Sequence, residues 1–178
     1  MRKVLALVFC LCTLFIATRA ILAEQAKRAS PHEQVSAVFD GKKVTIDYGR
    51  PLKKGREIFG KLVPFGEVWR TGADEATTIT TEANLNIGGL KLPKGTYSLF
   101  TLPTEKEWTL IVNKNAKQWG AYSYDAKQDL GRAKMTVTAA AAPVEQLTIT
   151  LDADGKGKAG TLKLAWDKTV ASIAVSAE

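Results

Sequence analysis

From Gln34 onward, apolar and polar residues alternate with a period of two over short segments bounded by glycine, proline, asparagine and aspartate. Half-buried antiparallel strands read this way. QVSAVF and KVTIDY flank Asp40-Gly41, a dipeptide suited to the positive φ angles of a primed hairpin turn, so Val44, Ile46 and Tyr48 are expected on one face. NLNIGGLKLP repeats the device around Gly88-Gly89. In LPKGTYSLFTLP, Pro93 suits the second turn position and Gly95 the fourth. The strand that follows, residues 97–102, is apolar on both sides, as expected where a strand is covered from two directions. WTLIVN, AKMTVT, EQLTITLD, TLKLAWD and VASIAVS continue the pattern. The alanine run at residues 139–142 ends at Pro143 and is too short to nucleate a helix unaided. About nine or ten short strands predict an all-β chain, an antiparallel β-sandwich or jelly roll, with a closed barrel as the alternative that periodicity does not separate.

Residues 52–75 break the period. They hold Ile58, Phe59, Leu62, Val63, Phe65, Val68 and Trp69, too much apolar surface to leave in water. Long connections without strand period inside compact domains are usually functional or disordered, and this apolar content argues against disorder. The expectation is an ordered loop folded across the sheets and capping one end of the core.

Ahead of the strands, Arg2 and Lys3 precede an apolar run over residues 4–17 and then Thr18-Arg19-Ala20. This is the plan of a secretory signal, shorter than a spanning helix. Cleavage is expected after Ala20, with Ala23 as a second site. The chain then divides into a signal peptide (1–20), a flexible start (21–31) and a single domain (32–178), exported to the periplasm or beyond the cell. Cys10 and Cys12 both lie in the leader, so the mature chain has no disulfide, thiol chemistry or zinc-thiolate site. It keeps about 155 residues, enough to bury roughly two-thirds of its unfolded surface. Removing Arg2, Lys3 and Arg19 takes the formal charge from +7 to 7 − 3 = +4. That balance leaves room for anionic partners, but no basic helix or aromatic-basic signature argues for nucleic acid.

With His32 as the one histidine, a Ser-His-Asp triad on a framework and a multi-histidine metal site are excluded. No phosphate-binding glycine loop occurs. LDADGKGKAG resembles part of a calcium loop but has Thr161 where a closing carboxylate belongs, and it reads as a hairpin turn. Neither metal nor cofactor is expected.

Two clusters remain. Arg50, Arg56 and Arg70 bracket the apolar loop, and Asp74 and Glu75 follow Trp69 closely. With Trp69 buried, the Arg70 guanidinium needs a fork-shaped acceptor, either Glu75 or a ligand carboxylate or phosphate. An internal Arg70–Glu75 clasp and an anion or sugar site framed by it both fit. Asp74 and Glu75 as an acid–base pair fit poorly, because neighbours on an extended chain point to opposite faces. The second cluster, NKNAKQWGAYSYD, interleaves Trp119, Tyr122 and Tyr124 with Asn113, Asn115 and Gln118. Flat rings beside amides suit sugars or peptides, or close the rim of a sheet. Tyr122 and Tyr124 share a side if the stretch is extended.

The blocks RPLKKGREIFGKLVPFGEVWRTGADEATTI, LPKGTYSLFTLP and NKNAKQWGAYSYD resemble, in order, the signatures of the exported bacterial family of domain of unknown function 2911. The resemblance runs from about Ser30 to Val175 and departs at Gly49, where serine is commoner, and at Asp74, where asparagine is usual. It implies a secreted or periplasmic β-rich domain and brings no activity, ligand or cofactor.

The functional expectation is a non-catalytic binding module for a small anionic or carbohydrate ligand of the cell envelope. Its ligand-binding residues would be Arg56, Trp69, Arg70, Asp74, Glu75, Asn113, Trp119, Tyr122 and Tyr124. An envelope assembly partner acting through a sheet edge is the alternative. A carboxylate-dependent hydrolase is third, recognisable by two acids about 5–10 Å apart across a pocket.

Overall fold

The computed structural model describes residues 28–178; the leader and its cleavage site lie outside the described residues. Nine antiparallel strands follow in chain order: β1 (His32–Phe39), β2 (Lys42–Gly49), β3 (Thr78–Thr81), β4 (Leu85–Ile87), β5 (Leu90–Leu92), β6 (Gly95–Pro103), β7 (Trp108–Asn113), β8 (Asp129–Ala153) and β9 (Ala159–Ala177). They form one continuous sheet in the order β1-β2-β3-β6-β7-β8-β9-β4-β5. The fold is all-β as expected; a 3-10 turn at Ala126–Gln128 is the one helical element among the described residues. No helix there is long and apolar enough to cross a membrane.

The turn chemistry works as the sequence implies. Asp40 and Gly41 have φ of 49° and 73° between β1 and β2, and Gly88 and Gly89 have 57° and 93° between β4 and β5, the positive angles a primed turn requires. Val44, Ile46 and Tyr48 are buried together along β2. The later strands differ from expectation, because four predicted segments run into two long ones. β8 passes through the alanine run and Pro143 with register shifts between Ala139 and Val144 and between Val144 and Thr148, and opposite Val144 lies Asp167 in the left-handed region, with φ of 52°. Bulges bend a strand and raise its twist without ending it.

β8 changes partners ahead of these bulges. Asp129 to Met135 pair with β7, and from Thr136 onward β8 pairs with β9. The sheet therefore turns back on itself until β1 lies against β8, and Asp40 N–H donates to Gly157 O at 2.6 Å between two hairpin turns. Ile46, Leu99 and Leu110 from one half meet Ile149, Leu164 and Ile173 from the other in one core. Tyr48 crosses that core, and its hydroxyl accepts Ile149 N–H at 3.0 Å. Burial raises the Tyr48 pKa against the opposing pull of that bond.

β6 is covered on both sides, as its composition predicts. Leu99 faces the main core, while Phe100 and Ile111 pack with Ala76, Val68, Ala121 and Tyr124 in a second cluster.

The loop over residues 52–75 is ordered and caps the core. Ile58, Val63 and Trp69 join the main cluster. Phe59 meets Trp108 edge-on with ring centroids 4.7 Å apart, and its ring lies 5.9 Å from Trp69 and 6.2 Å from Trp166. Trp69 and Thr101 exchange backbone hydrogen bonds at 2.8 and 2.9 Å, and Lys53 N–H donates to Glu145 O at 2.6 Å. Leu62 and Phe65, expected to be anchors, are 46% and 38% exposed. Phe65 covers Gly60 of its own turn and so gives up the core for a local contact.

Candidate functional site

A cavity of about 480 Å³ opens where this loop crosses the sheet. One wall is residues 29–31; another is Leu52, Lys54, Arg56, Leu62 and Val63; the third is the turn from Trp69 to Asp74, with Trp166 of β9 behind it.

The turn is over-determined by hydrogen bonds. Thr71 and Asp74 both have left-handed φ, 58° and 62°, uncommon outside glycine, though aspartate tolerates it better than most residues. Trp69 Nε1–H donates to Gly72 O at 3.1 Å, the Thr71 hydroxyl to Thr101 Oγ1 at 3.2 Å, and the Thr77 hydroxyl to Thr71 O at 3.0 Å. Backbone meets backbone at Gly49: Ala73 N–H donates to Gly49 O at 3.2 Å, and a Cβ on Gly49 would sit 2.1 Å from Ala73 O. A serine there would force the turn outward, so the glycine belongs to this placement of the turn.

Arg70 lines the cavity, and its Nε is buried with no hydrogen-bond partner. Leaving a buried donor unmatched costs about 1–3 kcal/mol, more for a charged group. The expected Arg70–Glu75 clasp does not form. Left-handed Asp74 turns the chain so that Glu75 bridges to Trp119 through its backbone, and its carboxylate is held by Arg28, Nε at 3.0 and 3.2 Å and Nη2 at 2.9 Å. Burial pushes the Glu75 pKa up, but the Arg28 hydrogen bonds, a backbone bond and the charges of Arg28 and His32 outweigh it and hold the carboxyl below its ordinary value.

Asp74 serves a neighbouring purpose. Its two oxygens accept the backbone N–H groups of Ala29 at 3.2 Å and Ser30 at 3.1 Å. Residues 28–31, expected in a flexible start, thus form a strap that walls the cavity, since two carboxylates satisfy its backbone and its arginine. His32 opens β1 beside the strap, with Nδ1 3.3 Å from Asp47 Oδ1 and Nε2 3.0 Å from Glu75 Oε2, the latter off the hydrogen-bonding direction.

At the rim, Arg56 Nε–H donates to Lys53 O at 2.8 Å and another guanidinium N–H to Leu52 O, which fixes the head while leaving it exposed. Lys54 is exposed too. Arg50 is directed elsewhere, to Glu33, Leu147 O and Thr148.

The structure brings Arg56, Trp69, Arg70 and Asp74 together and leaves Asn113, Trp119, Tyr122 and Tyr124 outside the cavity. Backbone hydrogen bonds join the two clusters, Gly120 N–H to Asp74 O and Ala76 N–H to Gln118 O, both 3.0 Å, and Val68 and Tyr124 share the second apolar cluster. Asn113 donates to Asp125 O and Asp129 Oδ1 at 3.0 Å and accepts from Gln118 at 3.1 Å. Tyr124 donates to Asp129 at 2.8 Å and receives Arg132 at 2.8 Å. Burial first, and Asp129 second, raise the Tyr124 pKa. These groups are occupied in bracing the segment. Tyr122 and Tyr124 do not share a side, because the stretch turns at Gly120, φ 65°, and is not extended. Tyr124 packs on Phe100 at 5.1 Å, while Tyr122 is 89% and Trp119 50% exposed.

Sequence reasoning missed Lys54, Trp166 and the strap. Leu162, Leu164 and Trp166 alternate in TLKLAWD, which marks Trp166 as inward-facing; only the turned-back sheet puts it against the loop. Among the described residues no cluster of histidine, cysteine and acids could hold a metal ion.

The family model described as a protein of unknown function, DUF2911, matches residues 30–175. No curated protein matches the chain, and no solved structure does.

Proposed function

For a chain that belongs to the DUF2911 family, we propose an exported binding module that takes a small ligand of the cell envelope in the cavity beneath the loop. The observation that carries this is Arg70, a cation with a buried, unmatched Nε on the wall of a cavity of about 480 Å³. Ligand sites are typically concavities of roughly 300–1,000 Å³ with a few convergent polar groups on an apolar lining. Arg56 and Lys54 at the rim add charge. Among the described residues Asp74 is the only acid on the lining, and its oxygens already hold two backbone N–H groups. A two-carboxylate mechanism finds no second member there, which supports binding over hydrolysis.

The assembly reading draws less support. Exposed sheet edges recruit partners when long and flat; β5 has three residues and β1 lies against β8.

Thermal-shift screening of the mature protein against small anions, sugars and peptidoglycan fragments tests the proposal. Saturable stabilisation that is lost in Arg70→Gln is expected. A melting temperature unmoved by every compound would overturn it.

A further inference from the structure

We infer that the ligand is an amphipathic organic anion, with a carboxylate or phosphate head on Arg70 and an apolar body against Leu62, Val63 and the Trp69 ring. This deepens the proposed function and rests on it.

The lining decides between anion and sugar. Among the described residues of the lining, three are cations and one is a carboxylate, a formal 3 − 1 = +2, and the carboxylate is already engaged with the strap. A neutral sugar needs donors and acceptors matched to a ring of hydroxyls. Among the described lining residues there is no Asn, Gln, Tyr or Thr, and one hydroxyl, that of Ser30. Both indole N–H groups are committed elsewhere, Trp69 to Gly72 O and Trp166 to Glu145 O, so the tryptophans offer only apolar surface. What remains is the Arg70 guanidinium on the lining, its Nε buried and unmatched and its planar fork shaped for an oxyanion. Leu62 and Leu52, 46% and 36% exposed, are the apolar surface that a hydrocarbon or aryl body would cover. Inorganic phosphate would satisfy Arg70 and leave those side chains wet.

Calorimetry and thermal shift on the mature protein, with octanoate, phenyl phosphate, inorganic phosphate, octyl glucoside and N-acetylglucosamine as probes, test this. Octanoate or phenyl phosphate should bind at least about tenfold more tightly than inorganic phosphate, a ratio that burial of two methylene groups already supplies. Comparing the two tells whether a carboxylate or a phosphate head is preferred. Arg70→Lys, which keeps the charge and loses the fork, should weaken both. Leu62→Ser, an exposed change with little hold on the fold, should weaken octanoate and leave inorganic phosphate unaltered. Stabilisation by the glucoside or the amino sugar alone would overturn the anion assignment while leaving the cavity as a binding site. Inorganic phosphate binding as tightly as octanoate would overturn the apolar body. Binding of no probe would overturn this inference and the proposed function together.

Discussion

Trp69 of the loop stacks on Trp166 of β9, with ring centroids 6.0 Å apart and planes 18° from parallel. The same residue pairs by its backbone with Thr101 of β6, so a single position fastens the loop to both halves of the turned-back sheet. Trp69→Ala is expected to lower stability by about 3–5 kcal/mol. Phe65→Ala, in the same loop but directed outward, should cost under about 1 kcal/mol. Urea unfolding of both variants makes the comparison; equal losses would mean the loop is not anchored where the packing places it.

Gly49 has no space for a side chain. The oxygen it would strike, 2.1 Å from the Cβ position, belongs to the backbone of Ala73, which has no rotamer to yield with. Gly49→Ser should therefore destabilise by about 1–3 kcal/mol, the range of an overpacked site. A neutral result in denaturant titration would show that the turn at residues 71–74 gives way easily.

The strap depends on Asp74 for two backbone hydrogen bonds. Asp74→Ala removes both and places alanine at a φ of 62°, a conformation it resists; a loss of about 1–3 kcal/mol is expected. Asp74→Asn keeps one acceptor and the tolerance for that angle, and should lose less than the alanine variant. Amide exchange at Ala29 and Ser30 should accelerate in the alanine variant before any global change. Unaltered exchange there would contradict the strap.

Glu75, facing Arg28 and His32 at the start of β1, gives the strap a pH signature. Its folded pKa lies below the ordinary 4.5: burial acts upward, and the bonds and charge of Arg28 prevail. The unfolded state thus binds more protons through the acid range, so stability falls as pH falls. The contribution is present above about pH 4.5 and is lost as pH drops through the lowered folded value. The stability difference between the protein and Glu75→Gln should shrink below about pH 4.5. A difference that stays flat into strong acid would exclude Glu75 as the group responsible.

Where local chemistry decides the conformation, it was legible in the residues. Asp40-Gly41 and Gly88-Gly89 specify their turns by the φ angles they permit, and the two-sided burial of β6 follows from its apolar character on both sides. The long strands were not legible, because a bulge at residues 139–144 lets the chain bend past Pro143 where a break was expected. The Arg70–Glu75 clasp failed for a comparable reason: the left-handed residue between them reverses which way Glu75 faces. Trp119 and Tyr122 had the composition of a binding surface, yet a turn at Gly120 aims them into solvent, away from the cavity. Arg70 is singled out in the sequence by the argument that a guanidinium beside a buried ring needs an acceptor, and it lies on the cavity lining with its Nε unmatched.

The chain has four tryptophans, Trp69, Trp108, Trp119 and Trp166, and their indole N–H signals in a two-dimensional NMR spectrum report on different places. Titration with phenyl phosphate is the most direct measurement of whether the cavity is the site. The signals of Trp69 and Trp166 are predicted to shift saturably while that of Trp119 stays in place. Movement of Trp119 alone, or of none of the four, would contradict the account.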